Sequence, residues 1–349
     1  MTAAAAGGVA PVTTAAVAPG AASEPAAGSP AWLERHGLSA VETCRLAQRE
    51  LARRDERFFS LEADLGDFGG FAFRDEFPDR YLDFGIAEAS LVGAAAGLAL
   101  AGKIPLVNTF ASFALMRACE QVRLDLCYHG ANAKIFGTFA GLQAGFSGPT
   151  HHAIEDLAVA RSLPNLTVIA PADAVAAYHA TLAAAAHHGP VYIRLAVDAT
   201  PQVYGESCPF EIGRGIELRG GRDLTLVAAG LTVVAEALAA AELLARDGFT
   251  ARVIDLHTVK PIDRELLARA ARETGCVVTV EEHSVYGGLG GAVAEVLGED
   301  CPVPMCILGV PDAYCERVAP HAEHLRRYGL DAAGIAAAAR RLLQRKAGA

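Results

Sequence analysis

Residues 81–102 read YLDFGIAEASLVGAAAGLALAG, and the fold is decided by how this stretch is interpreted. A short apolar strand runs into a helix, beginning near Ala89, made almost wholly of Ala, Gly, Ser, Leu and Val. Both faces of such a helix can be buried, and neighbouring backbones can come close. One carboxylate, Glu88, stands at the junction. Taking an ionised carboxylate out of water is costly, so Glu88 must take up a proton, accept hydrogen bonds or meet a ligand. Two readings stay open: an acid at its own helix N-terminus, where amides and macrodipole favour negative charge, and an acid marking a site.

Outward from this stretch, strand-like and helix-like segments alternate. Residues 57–61, 104–109, 133–138, 166–169 and 191–195 read as buried strands separated by helical stretches. Residues 200–214 turn to Pro, Gly, Glu and Ser without periodicity and read as a linker. A second series follows, with strands at 224–228, 252–255, 277–281 and 305–308 and helices near 233–246, 263–274, 289–297 and 332–345. The pattern predicts two α/β domains with parallel sheets covered by helices, and functional groups gathered where strands end. The expected division is a disordered Ala/Gly/Pro-rich tail at 1–30, a first domain at 31–200, a linker at 201–214 and a second domain at 215–349.

Composition narrows the function classes. The chain has 349 residues, 52% hydrophobic and 20% charged, enough for two sizeable cores. A formal charge of -10 argues against nucleic acid and anionic membranes as main partners, since both reward clustered Lys and Arg. Apolar runs are broken by residues such as Lys103 and Pro105 before bilayer length, so no membrane helix is expected. Eight scattered cysteines form no close C-x-x-C pair, and a reducing cytoplasm is the expected location.

Other segments offer chemistry with bland alternatives beside it. Phe110 and Phe113 lie three apart, on one side of a helical turn, either as core or as a stacking surface for a flat heterocycle. Residues 140–152, AGLQAGFSGPTHH, form a glycine-rich loop in which His151 either serves an anionic oxygen or ties down backbone. Arg194, at the end of an apolar strand, needs an internal acid or an anionic ligand. GGLGG at 287–291 reads as a tight turn for helix packing more readily than as a phosphate loop. Glu281, Glu282 and His283 just before it are candidates to line an interface.

Together these segments resemble the C-terminal subunit of split transketolases, within the thiamine-diphosphate enzymes. The resemblance covers about 37–343 and rests on FPDRYLDFGIAEASLVGAAAGLALAGKIPLVNTFASF, GPTHHAIEDLAVARSLPNLTVIAPAD, GPVYIRL, RVIDLHTVKPID and VTVEEHSVYGGLGGAVAEVL. It implies a pyrimidine-binding domain followed by a transketolase C-terminal domain. It also implies transfer of a two-carbon ketol unit from a ketose or ketose phosphate to an aldehyde. Glu88 would then hydrogen-bond the pyrimidine of thiamine diphosphate, with Phe110, Phe113, Met116 and Ile86 around the ring. His151 would lie near the reacting centre, and Arg194 would bind the sugar phosphate. The same pair of domains occurs in the β chains of 2-oxoacid dehydrogenases, which stands as an alternative, as does a non-catalytic scaffold.

The family's diphosphate and Mg2+ site carries a GDG motif, whereas here Gly66 and Asp67 are followed by Phe68, so those ligands are expected on a separate subunit. An α2β2 heterotetramer follows, with this chain able to dimerise but inactive alone. Two positions depart from the family: Phe139 stands where transketolases have His, and Ser147 stands at an Asp position. Losing a donor and a charge there predicts an altered donor or acceptor sugar, in a specialised biosynthetic pathway.

Overall fold

The computed structural model describes residues 31, 39–66, 70–198, 200–205, 208–230 and 232–347. The tail at 1–30 and the Asp67 and Phe68 of the GD segment lie outside the described residues.

Twelve strands among the described residues form two sheets. In chain order they are β1 Phe58–Glu62, β2 Tyr81–Asp83, β3 Ile104–Phe110, β4 Lys134–Thr138, β5 Thr167–Ile169, β6 Val191–Arg194, β7 Ile216–Arg219, β8 Leu224–Ala228, β9 Ala251–Asp255, β10 Thr258–Lys260, β11 Val277–Ser284 and β12 Met305–Val310. The larger sheet runs β10-β5-β6-β4-β3-β1-β2 and the smaller β12-β11-β8-β9-β7. Pairing is parallel except at β10 against β5 and β7 against β9. Strands β4, β8 and β9 are buried at every position, as expected when helices cover both faces of a parallel sheet.

The expected two-domain α/β architecture is therefore present, with two strands that sequence patterning does not give. β2, the short strand expected ahead of the Glu88 helix, lies at the edge of the larger sheet, while the unexpected β7 closes the smaller sheet antiparallel and the unexpected β10 leaves its own domain to finish the larger sheet. Thr258 pairs with Ile169, and the Ala170 amide donates to the His257 carbonyl at 2.7 Å.

Helix Ala40–Arg54 opens on a capping box between Ser39 and Glu42 and packs on helix Ala174–Ala186. Helix Glu88–Leu100 has no charged residue after Glu88; it buries Leu91, Val92, Ala95 and Ala96 and leaves Ser90, Gly97 and Leu100 exposed. The 140–152 loop lies flat on the second domain because two of its glycines have no side chain. A Cβ on Gly141, whose φ is +64°, would come within 2.8 Å of the Glu282 Cβ, and one on Gly145 within 2.3 Å of the Ala319 carbonyl oxygen.

Candidate active site

Parallel β3 and β4 pair Phe110 with Thr138, so the residues at and just beyond their C-terminal ends emerge together. Phe139, the next residue, sits at φ +53°, an uncommon conformation for a bulky side chain and one that often marks a functional site. Its ring packs on Phe110 with centroids 4.7 Å apart, and Phe110 meets Phe113 edge-on at 5.5 Å. The His151 imidazole stands edge-on to both, 5.6 Å from Phe110 and 5.2 Å from Phe113, and its Nδ1 is 2.9 Å from the Thr150 hydroxyl. Phe146 extends the cluster past Phe139 at 5.8 Å while remaining 66% exposed. The stacking-surface reading of Phe110 and Phe113 thus has geometry behind it: the rings gather around a histidine at the strand ends, and neither is fully buried.

Glu88 lies at the edge of this cluster and is only 2% exposed. The N-cap, Ala87, provides no side-chain hydrogen bond, and the Glu88 carboxylate instead accepts from Arg117 Nη1 at 2.6 Å. Arg117 also covers the Phe113 ring, its guanidinium carbon 4.2 Å from the centroid. Residues Phe113–Arg117 form a π-helical turn, a feature frequent at functional sites. Sequence pattern alone does not single out Arg117, although its i,i+4 spacing from Phe113 is visible there. Ile86 is 71% exposed and Met116 52%, leaving an apolar flank beside the carboxylate. Ser147, half-buried, starts the turn that delivers His151.

Arg194 requires correction. It does not reach the cluster as a phosphate ligand; it is wholly buried and forks onto Asp156, through Nε at 2.7 Å and Nη2 at 3.1 Å. Nη2 also donates to the carbonyls of Ala153 at 3.0 Å and Glu282 at 2.7 Å, and the Tyr192 hydroxyl donates to the same Asp156 at 2.7 Å. Of the two partners open to Arg194, the internal acid is the one realised, and an anion would have to displace it. GGLGG is likewise a packing turn. The amides of Leu289 and Gly290 donate to buried Glu281 at 2.6 and 2.8 Å, so a protein carboxylate already occupies the place a phosphate would take. Glu282 and His283 line the seam between domains: Glu282 holds His321 Nε2 at 2.7 Å, and His283 Nε2 accepts the Ala158 amide at 3.2 Å.

Beyond Phe146 the surface falls into a cavity of about 480 Å3 lined by Gln143, Phe146, Asp198, Val318 and His321 among others. Gln143 is 4% exposed; its Oε1 accepts the amides of Val197 at 2.7 Å and Asp198 at 3.3 Å, while its Nε2 has no partner. Sequence pattern carries no signal for this cavity, because residues far apart in the chain build it. A larger cavity of about 550 Å3, lined by Asp223, Phe249, Arg340 and Leu343, shares no residue with the aromatic cluster.

A buried carboxylate, a cluster of partly exposed rings and an adjacent imidazole suit a planar nitrogen heterocycle, which can be hydrogen-bonded at one edge and stacked on its face. Residues 37–202 match the family model described as transketolase, pyrimidine binding domain, and residues 213–335 match transketolase, C-terminal domain. The chain is 43% identical over 299 residues to the 6-deoxy-6-sulfo-D-fructose transketolase subunit SqwH of Clostridium sp. (strain MSTE9), covering 85% of this chain and 92% of that one. It is 40% identical over 293 residues to a subunit of the apulose-4-phosphate transketolase of Phocaeicola vulgatus, covering 82% and 91%. Among solved structures, a split gene transketolase described as an inactive beta4 tetramer superposes with a TM-score of 0.81 at 45% identity, over 88% of this chain and 98% of that one. Transketolase from Campylobacter jejuni, at 20% identity and a TM-score of 0.70, shares the fold over 46% of its length.

Proposed function

We propose a function from one premise: the chain belongs to the transketolase family, and within it to the C-terminal subunits of the split type. It is a transferase of the transketolase kind that acts with a partner subunit, moving a two-carbon ketol unit from a ketose to an aldehyde. The 2-oxoacid and scaffold alternatives are not favoured, because these relatives are transketolase subunits. The family works with thiamine diphosphate, and the pyrimidine-binding domain is on this chain. Finer assignments are our own reading.

The observation that carries the reading is Glu88, almost dry and hydrogen-bonded to Arg117, which covers the Phe113 ring of the aromatic cluster. When bound, thiamine diphosphate supplies the carbanion chemistry of ketol transfer. Glu88 is the residue that holds its pyrimidine, as a carboxylate able to accept from, or share a proton with, a ring nitrogen. Burial strengthens that bond, and Arg117 keeps the carboxylate oriented. Phe110 and Phe113 form the wall that excludes water from the ring, with Ile86 and Met116 at its rim. His151, packed against both phenyl rings, presents its free edge to the substrate oxygens and can donate to or relay a proton at them.

The Mg2+ and diphosphate ligands belong to the partner in this reading. No group of three His, Cys, Asp or Glu side chains suited to a metal occurs among the described residues. The exposed apolar flank at Ile86 and Met116 supports a site completed by an unlike subunit in an α2β2 assembly. The solved relative's inactive tetramer of one chain type supports self-association without turnover. All eight cysteines are free and no helix among the described residues is long and apolar enough to cross a membrane. Free thiols suit the reducing cytoplasm, where this reading places the enzyme, in biosynthetic metabolism. Phe139 and Ser147, at positions where the family has His and Asp, give this enzyme an altered sugar substrate.

The test is reconstitution. The chain is mixed with a candidate partner subunit, thiamine diphosphate and Mg2+, and aldehyde release from a ketose panel is followed. The pair should turn over and the chain alone should not. Turnover by the chain alone, or use of pyruvate in place of ketoses by the pair, would contradict the proposal.

A further inference from the structure

The contact series Phe110, Phe139, Phe146 runs from the proposed cofactor-binding cluster to the 480 Å3 cavity that Phe146 lines, so a sugar chain extending from the reacting carbons in that direction enters the cavity. The walls of this cavity are unsuited to a phosphate. Among the described residues no Lys or Arg lines it. The guanidinium of Arg194 is sealed and occupied by Asp156, and that of Arg317, next to wall residue Val318, pairs with Glu323 at 3.1 Å and is not among the lining groups. The charges that do face the space are a carboxylate and an imidazole. Asp198 is exposed and makes no salt bridge to Lys or Arg among the described residues; its charge acts on His321 across the same space. His321 is held by Glu282, whose carboxylate is wholly buried behind it. Even with His321 protonated, two carboxylates against one imidazolium leave a net negative wall. A phosphate dianion would meet like charge there with no counter-ion from the described residues.

The remaining polar features favour another end group. The buried amide of Gln143 retains an unpaired donor, able to serve a hydroxyl oxygen, and Asp198 offers an acceptor to a hydroxyl or an ammonium group. Phe146 and Val318, 66% and 63% exposed, present apolar surface to the carbon chain between them. We infer that this cavity receives the end of a sugar substrate that carries hydroxyl or amine groups and no phosphate. The inference deepens the transketolase reading and rests on it, since the cavity matters as a substrate pocket only if ketol transfer occurs beside it.

The experiment uses the reconstituted two-subunit enzyme with three donors that differ only at the far carbon: D-fructose, 6-amino-6-deoxy-D-fructose and D-fructose 6-phosphate. The amino and neutral sugars should exceed the phosphate in kcat/KM by roughly tenfold or more, the scale of discrimination from a few pocket contacts. Asp198→Asn should narrow the gap between amine and phosphate, and Asp198→Lys should reverse it. Calorimetric titration of the same complex with each sugar reads the preference without turnover. If no donor is turned over yet the binding order holds, the transferase reading falls while the pocket assignment stands. Best use or tightest binding of the phosphate by the unmodified enzyme, or an unchanged order in both Asp198 variants, would overturn the inference.

Discussion

Replacing Arg194 by methionine separates a structural arginine from a ligand-binding one. The side chain is wholly buried and donates two hydrogen bonds to Asp156 and two to main-chain carbonyls. Removing it leaves the Asp156 carboxylate uncompensated in the interior, and breaking a buried pair from one side costs about 3–5 kcal/mol. Each kcal/mol is worth about 2–4 °C in a domain of somewhat smaller size than this chain. A fall in Tm on the order of 10 °C is therefore expected, measurable on the chain alone by scanning calorimetry. Replacing the whole group, as in Arg194→Met with Asp156→Leu and Tyr192→Phe, removes the stranded charge and its second donor together and should recover much of that loss. A substitution that left Tm within about 2 °C while raising KM for phosphorylated donors would refute the structural assignment.

Glu88→Gln keeps the size and burial of the side chain but removes its charge. In the reconstituted enzyme it should lower turnover by roughly 100-fold or more, the scale of a lost acid/base contribution, with assembly unchanged by size-exclusion chromatography. Near-native turnover would remove Glu88 from its role. Phe139→His combined with Ser147→Asp should improve use of common ketoses, phosphorylated or not, read as a rise in kcat/KM across the panel; an unaltered profile would count against these positions as specificity determinants. Asp255 gives a pH signature. Wholly buried, with Oδ1 unpartnered and Oδ2 accepting from Tyr204 at 2.5 Å, its carboxyl is raised by burial to about 7. Between about 4 and 7 the folded chain then binds more protons than the unfolded one, so this group's contribution to stability falls as pH rises through that window. Urea midpoints for Asp255→Asn should therefore vary less between pH 5 and pH 8 than those of the unmodified chain, and parallel slopes would show that Asp255 does not carry the effect.

The parts of the molecule legible in the sequence are those set by local pattern. Apolar runs mark β3, β4, β8 and β9 because strands buried on both faces leave no room for alternation. Glu88 is conspicuous because one acid stands against an uncharged helix. The parts that are not legible depend on pairing across the fold. Arg194 announces that it needs an anion, but Asp156 lies 38 residues away and nothing local distinguishes it from a ligand. Arg117 escapes notice because its value comes from Glu88, 29 residues earlier, and from a π turn that periodicity does not reveal. β10 is only three residues long and is a strand because β5 offers it an edge.

That three-residue strand bears on how the polypeptide matures at the ribosome. The outer margin of the larger sheet is finished by residues some ninety positions downstream of β5, so the first domain emerges with β5 bare. An open strand margin invites pairing with other nascent chains. The first domain can therefore close fully only after Lys260 has left the exit tunnel, and a truncation at the 201–214 linker should give an aggregation-prone fragment instead of an independent folding unit.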